Sequence, residues 1–349
     1  MRRTAIWAGL ETLYLTGAHR IARSLLAGVG AILTFHHVRP TRSGPFQPNR
    51  GLEIDPAFLD EALTALRGAD VDIISLDEAW HRLVTGQSPR RFVVLTFDDG
   101  YRDTLQNALP ILKRHEAPFT VYVATDFADG TGTLWWAALE EAVARADSID
   151  IELGGEMRHF DTTDVSGKFD AYCDIYWWLR ESGCTVQIRE AIRKLADATN
   201  LDTAAQCRAL CMDWDELKWL SDDPLVTIGS HTVDHAFLSK ATEDTVRAEM
   251  VDSRRIIGEK LGRVPDHIAY PVGAGDAVGP REYRIAAEVG YKTGVTTRPG
   301  VLFSEHKDHL TALPRISVNG EFQRRRFLDV LLSGAPTALL NGFRRVAAA

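Results

Sequence analysis

The chain has 349 residues, 45% of them hydrophobic and 25% charged, the balance of an ordinary soluble globular protein with room for one large domain or two smaller ones. A net charge of −8 argues against a nucleic-acid partner on global electrostatics. The charge is uneven: residues 1–30 carry Arg2, Arg3, Arg20 and Arg23 against Glu11 alone, and residues 321–349 carry Arg324, Arg325, Arg326, Arg344 and Arg345 against Glu321 and Asp329, so two basic ends flank an acidic body.

In chain order, Ile6, Leu10, Leu13, Ile21 and Leu25 fall near one helical face, so residues 1–30 read as an N-terminal amphipathic helical segment. Such a segment packs on the protein body or makes peripheral contact with a membrane through its basic residues. Glu11 cuts the apolar stretch and no small-residue cleavage site follows, which argues against a secretory signal and for a cytoplasmic protein, at the inner membrane face if it meets a membrane. No run approaches transmembrane length. Apolar runs then read as buried strands: "AILTF" (31–35), "VDIIS" (71–75), "FVVLTF" (92–97), "FTVYVA" (119–124), "LVTIGS" (225–230), "HIAYPV" (267–272) and "KTGVTT" (292–297). Helical patterns separate most of them. Pro56 to Arg67 follows Asp55 as N-cap, Leu76 to Thr85 comes next, and Tyr101 to His115 carries Leu105, Leu109 and Leu112 on one stripe. Thr242 to Leu261 stops at Gly262, and Pro280 to Val289 stops at Gly290. The alternation predicts an α/β protein with a mostly parallel sheet, open or closed into a barrel.

Residues 130–220 break this rhythm. They are rich in Trp, Ala, Glu and Arg and read as a helical insertion between two strands. Trp135, Trp136, Trp177 and Trp178 lie in it; tryptophan in helical segments packs into cores more often than it stacks on sugars. Cys173, Cys184, Cys207 and Cys211 also fall here without CxxC spacing, which suits small core residues kept reduced. Residues 321–349 read as a C-terminal helix and a tail, loosely ordered from Ser333.

In "VVLTFDDGYRD" (93–103) an apolar strand runs into Asp98 and Asp99. Buried carboxylates are costly unless paired or bound to a metal, and in barrels and doubly wound folds chemistry gathers at the C-terminal ends of strands. One Asp would serve as a helix cap; two suggest a site, one carboxylate binding a metal and its neighbour acting as base. Gly100 permits the tight turn that follows. The stretch "VTIGSHTVDHAFL" repeats the pattern, with His231 and His235 four apart, a spacing that places both imidazoles on one side of a helical turn. Asp99, His231 and His235 supply the three ligands, with an open position, of a catalytic zinc site.

"TFDDG" followed by "SHTVDH" resembles the polysaccharide deacetylase family, also called the nodulation protein B homology domain or carbohydrate esterase family four, over roughly Ile32 to Val318. The resemblance implies a distorted (β/α) barrel catalytic domain over residues 31–320. It implies that Asp99, His231 and His235 hold a divalent metal, Zn²⁺, and that Asp98 is the general base. The implied reaction is hydrolysis of an N-acetyl group on an amino-sugar oligo- or polysaccharide of the chitooligosaccharide type, with metal-bound water as nucleophile. A backbone N–H near Tyr101 would help hold the oxyanion. An O-acetyl esterase or other deacylase, or a catalytically silent carbohydrate-binding protein of the same fold, shares these motifs.

Two departures matter. Many members supply the general acid from a Leu-x-His motif late in the chain, where "TALPRISV" (311–318) has Arg315 and no histidine. "LTFHHV" (33–38) resembles the biofilm poly-N-acetylglucosamine deacetylase branch, whose acid histidine sits on an N-terminal strand, and this assigns the role to His36. Strand alternation sends His37 to the other side, as a structural residue. Second, "IAYPVG" (268–273) lacks the motif arginine that orients the base; Arg315 or another basic residue is the expected substitute. Tyr270 and Pro271 are expected to line the groove and, with Tyr101 and Arg315, to bind substrate. Asp126, after "YVA", reads as the site's edge or as a loop cap.

Overall fold

The apolar runs form parallel strands because each is followed by a helix that carries the chain back to the starting end. The computed structural model describes residues 2–69, 71–182 and 185–346. Seven strands make a ring: β1 Gly30–Phe35, β2 Arg91–Phe97, β3 Phe119–Val123, β4 Val226–Ser230, β5 His267–Ala269, β6 Thr293–Pro299 and β7 Leu313–Ser317. β1 pairs in parallel with both β2 and β7, which closes the barrel. Register runs without a slip from Gly30 opposite Phe92 to Phe35 opposite Phe97, so β1 and β2 end level. Asp98 N–H then donates to Phe35 O at 3.0 Å, bringing the residues after both strands together.

Two strand expectations change places. Val71–Ile73 does form a strand, but it pairs only with Arg91–Val93 at the start of β2, while β3 takes Leu95–Phe97 farther along; it therefore lies outside the ring. Its place is taken by β7, "LPRIS". Pro314 and the inward-facing Arg315 break the apolar run that would have announced it.

Helix ends follow their local chemistry. The side chains of Asp55, Ser75 and Thr242 accept from Ala57, Glu78 and Thr245 N–H, and Gly262 and Gly290 stop their helices in the left-handed conformation. The segment from Tyr101 to His115 is not one regular helix. Pro110 has no N–H to give, and a wide π turn over Thr104–Ala108 precedes the α-helix Leu109–Arg114.

The insertion is not all helical. Between helices Trp135–Arg145 and Val165–Ser182 lies an antiparallel hairpin, Ser148–Leu153 with Glu156–Asp161, turning at Gly154 and Gly155, both at positive φ. Ile149, Ile151 and Leu153 are buried in alternation and join a core with Leu139, Val143, Ile175 and Ile192. The N-terminal stripe is also revised: Gly17, at φ 70°, splits it into helices Arg2–Leu15 and Ala18–Leu26. Leu10 is buried against Phe327 and Val330, while Ile21 and Leu25 are exposed. Ser333 does not start a loose tail. It is buried, Gly334 lies against the Leu26 carbonyl, and helix Ala335–Leu340 follows. Cys207 and Cys211 are buried free thiols, Cys173 is exposed, and Cys184 lies outside the described residues.

Candidate active site

Asp98 sits in the barrel mouth as a buried carboxylate with a dedicated cation. Arg315, on β7, donates from Nη1 to Asp98 Oδ1 at 2.7 Å and from Nη2 to Oδ2 at 2.6 Å. The remaining donors are anchored as well, Nε to Thr296 O at 2.9 Å and Nη1 to Thr96 Oγ1 at 3.0 Å. Burial pushes the Asp98 pKa up, but the charge and hydrogen bonds of Arg315 outweigh it and hold the carboxyl below its ordinary value. Arg315 thus makes the base-orienting contact expected of the missing motif arginine. The expectation that it also binds substrate fails, because its side chain is wholly buried beneath Asp98.

Asp99 turns the other way. It is a non-glycine residue at φ 68°, followed by Gly100 at φ 65°, and this left-handed pair swings the second carboxylate toward β4. His231 Nε2 and His235 Nε2 each lie 3.4 Å from Asp99 Oδ1, which is buried and, among the described residues, has no hydrogen-bond partner. His231 Nδ1 binds the Ala269 carbonyl at 2.7 Å, so it carries the proton and Nε2 faces the cluster with its lone pair. Three ligand atoms lie within 4.8 Å of one another, and a partnerless buried carboxylate oxygen is what a cation would satisfy. The donor set N, N, O suits Zn²⁺. The histidines are not on a helical turn as the spacing suggested. They flank a loop in which Thr232 and His235 have φ of 68° and 58°.

That loop needs support, since each left-handed non-glycine residue costs about 1–3 kcal/mol. Glu249, on helix Glu243–Leu261, provides it: one carboxylate oxygen accepts from Val233 N–H at 2.8 Å and Asp234 N–H at 3.2 Å. Burial, with the nearby Asp234 charge, pushes its pKa up to about 7. The sequence hides this residue, which sits among the charges of a long amphipathic helix and acts only on backbone. Glu249→Ala is expected to weaken metal binding about 10–100-fold, as loss of a ligand's supporting partner does. Glu249→Gln, which keeps an acceptor oxygen, should restore most of it. Competition with a chromophoric chelator measures both, and an unchanged alanine variant would show that the loop holds itself.

His36 lines the cavity beside Asp98 and Asp99, its Nε2 4.0 Å from Asp98 Oδ2. Burial lowers its pKa against the opposing pull of Asp99 and Asp98. His37 points away, its Nδ1 2.6 Å from Asp103 Oδ2 and its ring stacked on Tyr101. The cavity measures about 470 Å³ and is walled by Trp135, Trp136, Tyr172, Tyr176 and Trp177 as well as by His36, Asp98, Asp99, His231 and His235. Tyr270 reaches its lining, but the hydroxyl donates to Thr311 O at 2.7 Å. The side chains of Tyr101 and Pro271 are buried and do not line it; Tyr101 OH accepts from Trp136 Nε1. Asp126 stays out of the cavity lining, its N–H bound to Val233 O at 2.9 Å.

Comparison with known proteins agrees with this geometry. The family model described as Polysaccharide deacetylase matches residues 85–156 and 178–294, more than half of the chain. YxkH of Bacillus subtilis (strain 168), which carries the name of a polysaccharide deacetylase, is 32% identical over 94 residues, 27% of this chain and 32% of that protein. The chain thus spans about a third of the length of that curated relative. Among solved structures, Streptococcus pyogenes deacetylase PplD in complex with acetate superposes with a TM-score of 0.58 at 21% identity, covering 86% of this chain and 97% of that one. IcaB from Ammonifex degensii gives 0.54 at 17% identity, covering 87% and 97%. At these identities the two structures show the shared barrel.

Proposed function

The chain belongs to the polysaccharide deacetylase family, and from that membership and the site geometry we propose that it is a hydrolase that removes N-acetyl groups from an amino-sugar oligo- or polysaccharide. The observation that carries the proposal is one cavity holding an arginine-clamped carboxylate, a histidine 4.0 Å from it, and a three-ligand Asp/His/His cluster. A divalent cation held by Asp99, His231 and His235, Zn²⁺ by donor type, would lower the pKa of a water molecule and polarise the acyl carbonyl. Asp98, kept ionised by Arg315, takes the proton of the attacking water. His36 is neutral at rest because burial lowers its pKa, so the proton it gives to the leaving amine is gained during turnover, with Asp98 the nearest donor. Acetate, the molecule bound in the PplD complex, is the expected product.

Recognition of the sugar falls to the aromatic wall. Tyr172, Cys173, Tyr176 and Trp177 belong to residues 157–177, between the two stretches matched by the family model, whereas Trp135 and Trp136 lie within the first of those stretches. Asn49 and Tyr172 spend their polar groups on each other and on the Trp136 carbonyl, which leaves aromatic faces as the main surface offered. Trp177 is 53% exposed at the cavity edge. Its replacement by alanine is expected to raise KM about 2- to 10-fold with kcat retained, the value of one aromatic contact that does not change in the transition state. Equal losses in kcat and kcat/KM would place Trp177 at the reacting centre instead.

The test of the reaction is acetate release from N-acetylglucosamine oligomers, run beside O-acetylated xylose oligomers. Release from the amide substrate supports the proposal. Release from the ester alone would make the protein an O-acetyl esterase, and release from neither would favour a silent carbohydrate-binding protein.

A further inference from the structure

The end of the barrel opposite the catalytic cavity carries an apolar patch set among arginines. Helices Ala18–Leu26 and Ala335–Leu340 pack side by side where β1 begins, and Gly334 lies against the Leu26 carbonyl. On their outer surface Ile21, Leu25, Leu340 and Phe343 are between 63% and 77% exposed. Leu25 and Phe343 line one shallow groove between the two helices, together with Arg344 and Arg345. Four large apolar side chains so exposed in one region call for a partner.

The surrounding charge says which kind. Arg20 and Arg23 alternate with Ile21 and Leu25 on the first helix, and Arg344 follows Phe343. Among the described residues no ion pair engages Arg20, Arg23 or Arg344, while Arg345 pairs with Glu305 at 3.1 Å. Behind them, Arg91 donates to the carbonyls of Ala27 and Leu332 and, among the described residues, leaves Nε and Nη1 without a partner. Burial, and then the charge of Arg23, lower its pKa to about 10. The local field is thus positive on a protein of net charge −8. Exposed apolar side chains ringed by arginine match an anionic lipid surface, where the apolar groups enter the headgroup boundary and the guanidinium groups meet phosphates.

The geometry points to a peripheral membrane-docking surface, built from helices Ala18–Leu26 and Ala335–Leu340, that binds anionic lipid and leaves the catalytic cavity facing the aqueous phase. The orientation follows from the barrel: these helices sit where the strands start, and Asp98, Asp99, His36 and His231 sit where strands end. A chain docked in this way would act on a substrate in the aqueous phase. No helix among the described residues is long and apolar enough to cross a membrane.

Sedimentation of the full chain with vesicles tests this without any substrate, and its outcome is independent of the deacetylase proposal. Vesicles of phosphatidylglycerol and phosphatidylethanolamine should carry the protein down, and vesicles of phosphatidylcholine alone should not. The triple variant Arg20→Gln, Arg23→Gln, Arg344→Gln should bind anionic vesicles more weakly by a factor on the order of 100, since each arginine near such a surface strengthens partitioning about fivefold. The variant Ile21→Ser, Leu25→Ser, Phe343→Ser should also lose binding while keeping the wild-type melting temperature, because these side chains are exposed. Failure of the wild type to sediment with anionic vesicles overturns the proposal, as does wild-type binding by both variants. A wild-type dimer that the serine variant disperses would also overturn it, by showing that a second copy covers the patch.

Discussion

Arg315→Met destabilises the folded chain by about 3–5 kcal/mol, the cost of leaving one member of a buried ion pair uncompensated. Asp98 is almost fully buried, and Arg315 supplies both of its short contacts; Thr34 Oγ1, at 3.4 Å, is a weak remainder. In the wild type the carboxyl is held below its ordinary value, so the pair's contribution is present above the unfolded pKa of about 4 and is lost as pH falls through the folded value. Without the guanidinium, burial, which raises the Asp98 pKa, is opposed only by His231, His36 and the weak Thr34 contact. The stability deficit is therefore greatest at neutral pH and shrinks as the variant carboxyl takes up a proton. Activity follows the same sign: the acidic limb of the pH–rate profile of metal-loaded enzyme moves to higher pH, since a protonated Asp98 cannot accept a proton. Urea unfolding at two pH values, with the rate profile beside it, reads both effects. A variant as stable as wild type with an unmoved acidic limb would mean that the clamp does not set the state of the base.

Asp98→Asn lowers kcat/KM by about 10²–10⁴-fold, the usual contribution of a positioned general base. The asparagine keeps the shape and one oxygen for Arg315 but leaves that buried guanidinium without its counter-charge, so some stability is lost and the rate is read on protein shown to be folded. Asp99, His231 and His235 are untouched, and metal affinity by chelator competition stays close to that of wild type. The separation of these two readouts distinguishes a base from a structural carboxylate. If the rate survives within tenfold, the attacking water loses its proton by another route and the role assigned to Asp98 is wrong.

The sequence displayed the chemistry more openly than the architecture that supports it. Asp98 and Asp99 after an apolar strand, and two histidines after another, are polar residues where burial is expected, and such conflicts mark sites. What stayed hidden acts over long sequence distances or through backbone. β7 escaped notice because Arg315 occupies a barrel-interior position where a strand would ordinarily show an apolar residue, and that same residue is the counter-charge of Asp98 some 217 positions away. Asp and His are enriched among left-handed non-glycine residues, but too weakly to announce Asp99 and His235 in advance, and neither Thr232 at positive φ nor Glu249 holding the histidine loop by two N–H groups has a sequence signature. The hairpin at 148–161 did carry a signal, alternation in "SIDIEL" and the Gly154–Gly155 turn, but it was masked by the helical composition on both sides. At the N-terminus a regular apolar spacing ran through Gly17, and one left-handed glycine turned an apparent single stripe into two helices facing different surroundings.

Whether Asp99, His231 and His235 hold a cation required for removal of acetyl groups is decided by stripping the purified protein with a chelator. Acetate release from N-acetylglucosamine oligomers is then measured while Zn²⁺ is titrated back. Stripped protein should release none, recovery should saturate at one ion per chain, and Asp99→Ala should not recover under the same titration. Equal release by stripped and reloaded protein would contradict the role given to these three residues.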